Sequence, residues 1–201
     1  IYSNLVTQMS KVLSIKTADG LQPLPMTNFV DYSIVNEFAG KVCFESFSVK
    51  YVSLGCENYT VNGNVYPVKS GEYLLVNNYA EGKVAVNELS KGICIDIEPT
   101  LLSEVVAGYR RPDTFHLDIS LDTFFNTSDF LENKYCCSNT LVGSFIEELD
   151  GVISRKGFSE LSFESDFYYT LAEKIVLDHI PIFKQLKSIP SLKSVTKKDL
   201  F

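Results

Sequence analysis

Tyr59-Thr60-Val61-Asn62-Gly63-Asn64-Val65-Tyr66-Pro67-Val68-Lys69-Ser70-Gly71-Glu72-Tyr73-Leu74-Leu75-Val76-Asn77 is the stretch that decides the fold. An Asn-Gly pair supplies two consecutive positive φ angles whose twist matches that of flanking antiparallel strands, so Tyr59–Val61 and Asn64–Tyr66 read as the arms of a hairpin. Ser70-Gly71 then turns the chain into a further strand, Glu72 to Asn77. Each piece is too short to stand alone and has to be buried in a shared sheet.

Working outward, residues 41 to 97 are a succession of β-branched and aromatic runs punctuated by Gly, Asn and Lys-Gly signals, the pattern of an antiparallel sandwich or barrel. Lys83-Val84-Ala85-Val86 is expected to pair with Ile93-Cys94-Ile95-Asp96-Ile97 across Ser90-Lys91-Gly92. After Glu98 the period changes. Pro99 suits a first helical position, and Leu101, Leu102, Val105 and Val106 repeat at helical spacing up to Gly108. In the stretch from Tyr109 to Tyr135, Phe115, Leu117 and Ile119 suggest one more strand, whereas Phe124, Phe125, Phe130 and Leu131 show no clear period. From Asn139 Leu141, Val142, Phe145, Ile146 and Leu149 form one helical face, opposite Glu147, Glu148 and Asp150. Ser162 opens a longer helix with the stripe Phe163, Phe167, Leu171 and Ile175, which Pro181 is expected to kink or end. The fold class is therefore α+β, an antiparallel β-barrel or sandwich followed by two or three amphipathic helices.

At the far end Ser191 to Val195 reads as a connector. Thr196-Lys197-Lys198-Asp199 has the spacing of a helix-opening cap, with Asp in place of the usual Glu. Only Leu200 and Phe201 follow, and one turn cannot stabilise itself, so the helix is expected to continue in a longer protein.

Composition excludes several functions. With 45% hydrophobic residues among 201, the chain can fill a core without staples. A formal charge of -7, from 25 acidic and 18 basic residues, works against binding a polyanion. Lys184, Lys187, Lys193, Lys197 and Lys198 are the one basic concentration, and a solvated helix face accounts for most of them. No apolar run reaches the 18 residues of a membrane span, and no secretion signal opens the sequence. The five cysteines, Cys43, Cys56, Cys94, Cys136 and Cys137, fit free thiols in a reducing compartment, which points to the cytoplasm. The triplets Asn58-Tyr59-Thr60 and Asn126-Thr127-Ser128 match a glycosylation acceptor, as chance produces in a chain rich in Asn, Ser and Thr.

Catalytic chemistry is hard to assemble. His116 and His179 lack a second ligand at a metal-binding spacing, so no metal and no cofactor are expected, and the two read as a strand residue and a surface residue. Cys136-Cys137, just ahead of a helix, reads either as a reactive pair near the helix's positive end or as two small apolar residues at a turn. Among the strand aromatics, about half of Phe44, Phe47, Tyr51, Tyr59, Tyr66 and Tyr73 should face a barrel interior. Lys50 and Asn77, polar within apolar strands, are the better pocket candidates. The ligand-binding candidates are thus Phe44, Lys50, Tyr51, Tyr59, Tyr73 and Asn77.

The segment Tyr59 to Asn77 resembles the cupin-like sensor domain of AraC-type transcription regulators. Ile189-Pro190-Ser191-Leu192-Lys193-Ser194-Val195-Thr196-Lys197-Lys198-Asp199-Leu200-Phe201 is similar to the linker and helix opening of their DNA-binding domain. The resemblance implies an effector-sensing β domain over residues 1–135 (with a short helix near 99–108), a helical dimerisation region over 136–190, and a linker with the start of a DNA-binding domain over 191–201. It implies a small-molecule effector, a homodimer through Phe163, Phe167, Leu171 and Ile175, and promoter DNA read by a helix-turn-helix domain beyond this chain. Where metal-dependent cupins carry paired histidines, Glu72 and Asn77 or Asn78 stand here. The expected role is regulatory and not enzymatic. Two alternatives are a cupin-like enzyme drawing on Glu72, Asp96 and Asp118, and a carbohydrate-binding or scaffold module.

Overall fold

The computed structural model describes residues 14–17, 20–23, 28–44, 46–78, 80–108 and 132–187. The expected strand around Phe115, the residues His116 and Asp118, and the cap at Thr196 to Asp199 lie outside them. Among the described residues, strands β1 (Ser14–Thr17) and β2 (Gly20–Pro23) form a two-stranded antiparallel sheet of their own. Next come β3 (Phe29–Val35), β4 (Phe38–Phe44), β5 (Phe47–Leu54), β6 (Cys56–Val61), β7 (Asn64–Lys69), β8 (Glu72–Val76), β9 (Ala80–Val86) and β10 (Ser90–Ile97). Helix α1 (Pro99–Gly108), strand β11 (Asn133–Cys136), a 3-10 turn at Cys137–Asn139, α2 (Leu141–Lys156) and α3 (Ser165–Lys187) complete the set.

One sheet has the order β11-β8-β5-β10-β3 and the other β4-β9-β6-β7, all antiparallel. With β3 to β10 taken as eight consecutive strands, the sixth, third, eighth and first make one sheet and the second, seventh, fourth and fifth the other. That arrangement is a jelly roll, the double-sheet topology of cupins. The hairpin at Asn62-Gly63 forms as the sequence requires, both residues having positive φ (48° and 85°).

The expected pairing of β9 with β10 does not form. β9 lies between β4 and β6, whereas β10 lies between β3 and β5. The short link at Asn87–Leu89 carries the chain across the sandwich, so Val84 and Val86 pack between the sheets while Ile93, Ile95 and Ile97 turn to the helices. Two adjacent strands with matching alternation mimic a hairpin in sequence even when each belongs to a different layer.

The sheet containing β5 is covered on both faces. Its inner residues Val52, Leu74 and Val76 join Phe44, Tyr59, Val61, Val68, Val84 and Val86 between the sheets. Its outer residues Val49, Tyr51, Tyr73, Leu75, Ile93 and Ile95 pack beneath Leu102 and Val105 of α1, Val142 and Ile146 of α2, and Leu171 and Ile175 of α3. α2 is capped by Thr140, whose hydroxyl accepts from the Gly143 amide at 2.9 Å. Asp178 of α3 completes that end, accepting from the amides of Leu141 and Val142 at 2.9 Å each. Gly143 has to be glycine, because a Cβ there would stand 2.2 Å from Cys137 Cα.

α3 continues through Pro181, which is exposed and whose ring costs the carbonyl of the half-exposed Leu177 its helical partner. His179 is not a surface residue. It is fully buried, because it extends the inner stripe of Leu171 and Ile175 by one more helical turn.

Candidate functional site

Alternation along β3, β5, β6 and β10 places a polar set on the inner wall of the jelly roll. The register puts Lys50 of β5 and Asp31 of β3 on either side of Cys94 in β10, and Asp96 opposite Ser48. The Lys50 ammonium bonds to Cys94 Sγ, lies 3.5 Å from Asp96 Oδ1 and stands 5.2 Å from the centre of the Phe44 ring. Ser48 Oγ also donates to Asp96 Oδ1. Deeper in, the buried Glu57 accepts from Tyr59 Oη at 2.6 Å and from Ser90 Oγ at 2.9 Å.

This wall is reached by water at one end. The Lys50 side chain is 13% exposed and that of Asp96 28%, and Asp31 and Cys94 are also only partly buried. Val49 and Ile95, on the opposite face of the same strands, are fully buried under the helices.

Electrostatics keep the groups in their resting forms. Burial disfavours the Lys50 ammonium, but Cys94 and Asp96 outweigh it and hold the lysine protonated. Burial pushes the Cys94 thiol up to about 12, against the pull of Lys50. Asp31 is raised by burial, an effect that the Tyr32 amide and Lys50 offset only in part and Asp96 reinforces. Tyr59 is pushed well up by burial and by Glu57. Neither the Cys94 thiol nor the Tyr59 hydroxyl is therefore an ionised nucleophile at neutral pH.

Of the six ligand candidates, Phe44, Lys50 and Tyr59 come together on this wall. Tyr51 and Tyr73 do not, because each is offset from an inner-facing neighbour by one residue. Tyr51 packs in the helix-side core, and Tyr73 stacks on Tyr135 at 5.3 Å and donates to Thr140 Oγ1 at 3.0 Å. Asn77 is buried just after β8. Ser48, Asp31, Cys94 and Glu57 also face this wall, and none of them is among the six candidates. The alternation of Cys94 and Asp96 with Ile93, Ile95 and Ile97 is the signal that places these two side chains of β10 on the face opposite the isoleucines.

Among the residues proposed for an enzyme, Glu72 is bridged to Lys134 at 2.9 and 3.0 Å. Despite some desolvation, the Lys69 amide and Lys134 hold it below the usual carboxylate range. Cys136 is exposed and Cys137 buried, with burial pushing the Cys137 thiol up to about 12. The amides at the start of α2, on which the reactive reading of this pair depends, are taken by Asp178 and Thr140. Within the stripe assigned to a dimer, Leu171 and Ile175 are fully buried in the chain's own core. Phe163 and Phe167 pack partly buried against it, 4.9 Å apart between ring centres. The stripe holds α3 to the sheet, which the same apolar period demands.

A separate cleft of about 360 Å³ opens between the starts of α1 and α3, lined by Asn28, Glu98, Leu101, Glu104, Asp166 and Tyr169 among others. No group of three or more His, Cys, Asp or Glu able to hold a metal occurs among the described residues. No helix among them is long and apolar enough to cross a membrane.

No protein-family model and no curated protein sequence matches the chain. Among solved structures it is similar to the AraC-like transcriptional activator CuxR, with TM-score 0.50 and 10% identity, over 85% of this chain and 64% of that one. ToxT from Vibrio cholerae O395, solved with (E)-4-(8-methylnaphthalen-1-yl)but-3-enoic acid, gives TM-score 0.46 and 11% identity over 82% of this chain and 65% of that one. The Clostridium difficile EutQ protein gives TM-score 0.34 and 14% identity over 35% and 56%. The chain thus spans less than two thirds of the length of each of these three. The likeness to CuxR is one of fold, and it extends over the jelly roll and the helices together.

Proposed function

We propose that this chain is the effector-sensing part of a DNA-binding transcription regulator, working by ligand binding and not by catalysis. The observation that carries the reading is the two-sided sheet. Its inner face presents a partly solvated polar wall around Lys50, and its outer face is the floor on which α1, α2 and α3 pack. A ligand on the inner wall that favours one arrangement of that sheet shifts the helices with it, the differential binding that regulation requires.

In this reading a homodimer forms through the outer face of α3, where Tyr169 and Leu177 are exposed. Promoter DNA is contacted by a helix-turn-helix domain attached beyond α3, since the acidic chain itself is a poor match for phosphate. The protein works in the cytoplasm. The fold shared with CuxR supports this assignment. The test uses the full-length protein and its own promoter region. Salt-dependent binding is expected, and its absence overturns the reading.

A further inference from the structure

Lys50 and Cys94 are directly opposed residues of β5 and β10, and their side chains meet end to end. The Lys50 ammonium donates to Cys94 Sγ, and the Cys94 thiol in turn donates to Asp96 Oδ1 at 3.5 Å. The same oxygen lies 3.5 Å from Lys50 Nζ, so one carboxylate touches both the amine and the sulfur. Phe44 under the ammonium and Ser48 on the carboxylate hold the three groups in place. A nucleophilic amine seated on a sulfur, beside a proton acceptor, needs only an oxidised sulfur to form a bond. The wall is open to a small oxidant, since the side chains of Lys50 and Asp96 reach water and Cys94 is only partly buried.

We propose that Lys50 and Cys94 form a covalent modification site, joining Nζ to Sγ as a sulfenamide when a hydroperoxide oxidises the sulfur. With hydrogen peroxide, Sγ attacks one oxygen, the S–O bond forms and the O–O bond breaks. The thiol proton leaves with the second oxygen as water, sulfur giving up two electrons and the peroxide accepting them. Lys50 then loses a proton to solvent by way of Asp96 and attacks Sγ. The S–N bond forms, the S–O bond breaks, and the departing hydroxide takes the next proton from nitrogen as a second water. Because burial holds the Cys94 thiol up at about 12, the first step is slow, and the link answers sustained oxidant in place of a brief pulse. Once made, it removes the positive charge that acts on Asp31 and Asp96 and clamps β5 to β10, in the sheet that carries the helices.

The chain is treated with hydrogen peroxide, its remaining thiols are alkylated, and its tryptic peptides are weighed before and after dithiothreitol. The expected product is a peptide left uncut at Lys50 and joined to the peptide carrying Cys94, lighter than the two together by the two hydrogens lost, and separated by dithiothreitol. Lys50→Arg keeps the charge but removes the nucleophilic amine, and is expected to abolish the joined pair. Asp96→Asn is expected to lower its yield, with circular dichroism confirming that both variants fold. The result on the unaltered chain depends on neither variant. A joined pair that persists in Lys50→Arg is a disulfide to another cysteine and overturns the proposal. Normal cleavage at Lys50, with Cys94 unchanged or carrying oxygen alone, overturns it as well. The sensing role stands apart from either outcome and falls only with the promoter experiment.

Discussion

Tyr135 Oη lies 3.2 Å from His179 Nε2, joining β11 to α3 inside the core. His179 Nδ1 is 2.6 Å from the carbonyl oxygen of Ile175, which has no proton to give, so Nδ1 carries the hydrogen. Nε2 is then the acceptor for the Tyr135 hydroxyl. The imidazole is held neutral between an acceptor and a donor.

Stability is expected to decline on acidification because of this histidine. Burial lowers its pKa from the ordinary 6.5, outweighing the Ile175 carbonyl and Asp178, which favour the charged ring. Below 6.5 the unfolded chain therefore takes up a proton that the folded one refuses, and stability present above that value is lost as the pH falls. Urea unfolding at about pH 7.5 and about pH 5.5 should show a larger fall for the wild type than for His179→Gln, which has no ring to titrate.

Asp178 holds two amides of a helix other than its own. Asp178→Ala should cost about 1–2 kcal/mol, and Asp178→Asn less, since one oxygen and no charge remain at that helix end. Denaturant midpoints of the two variants check the order.

Two glycines of α2 should respond in opposite senses to alanine. At Gly151 a Cβ would meet only the mobile end of Arg155, at 3.4 Å, so Gly151→Ala should stabilise by about 0.5–1 kcal/mol through helix propensity. At Gly143 the Cβ would strike the backbone of Cys137, and Gly143→Ala should destabilise by about 2 kcal/mol despite the same gain. Thermal melts of the pair separate packing from propensity.

Lys50→Met should leave Asp96 without its counter-charge on a partly desolvated wall, at a cost of about 1–3 kcal/mol. Adding Asp96→Asn should recover part of that loss. A double-mutant cycle measured by urea unfolding gives the coupling, and additive losses would show that the pair is not interacting.

Local chemistry was legible wherever it acts through neighbours in sequence. Asn62-Gly63, the helix from Pro99 and the face Val142, Ile146 and Leu149 all formed as read. What depends on which layer a strand joins was not legible. Period-two alternation says that Lys50 and Tyr51 point oppositely, but not which of them points inward. Val86 and Ile93 look equally apolar on two sides of a turn, yet one faces the other sheet and one faces helices. His179 shows the same limit in a helix. Its polarity suggests the surface, whereas its position one turn past Ile175 puts it in the core, where the hydroxyl of Tyr135, distant in sequence, meets the ring nitrogen that faces away from the Ile175 carbonyl.

The peptide unit between Lys50 and Tyr51 is a partition one backbone thick. On one side is the water-reached wall, and on the other the packed layer where Tyr51 senses Asp150 and Glu147 of α2. A strand cannot roll by a few degrees for one of these residues and stay still for the other. The sandwich therefore has no intermediate layer to damp a disturbance, and its two compartments keep a common mechanical clock set by the torsion of β5.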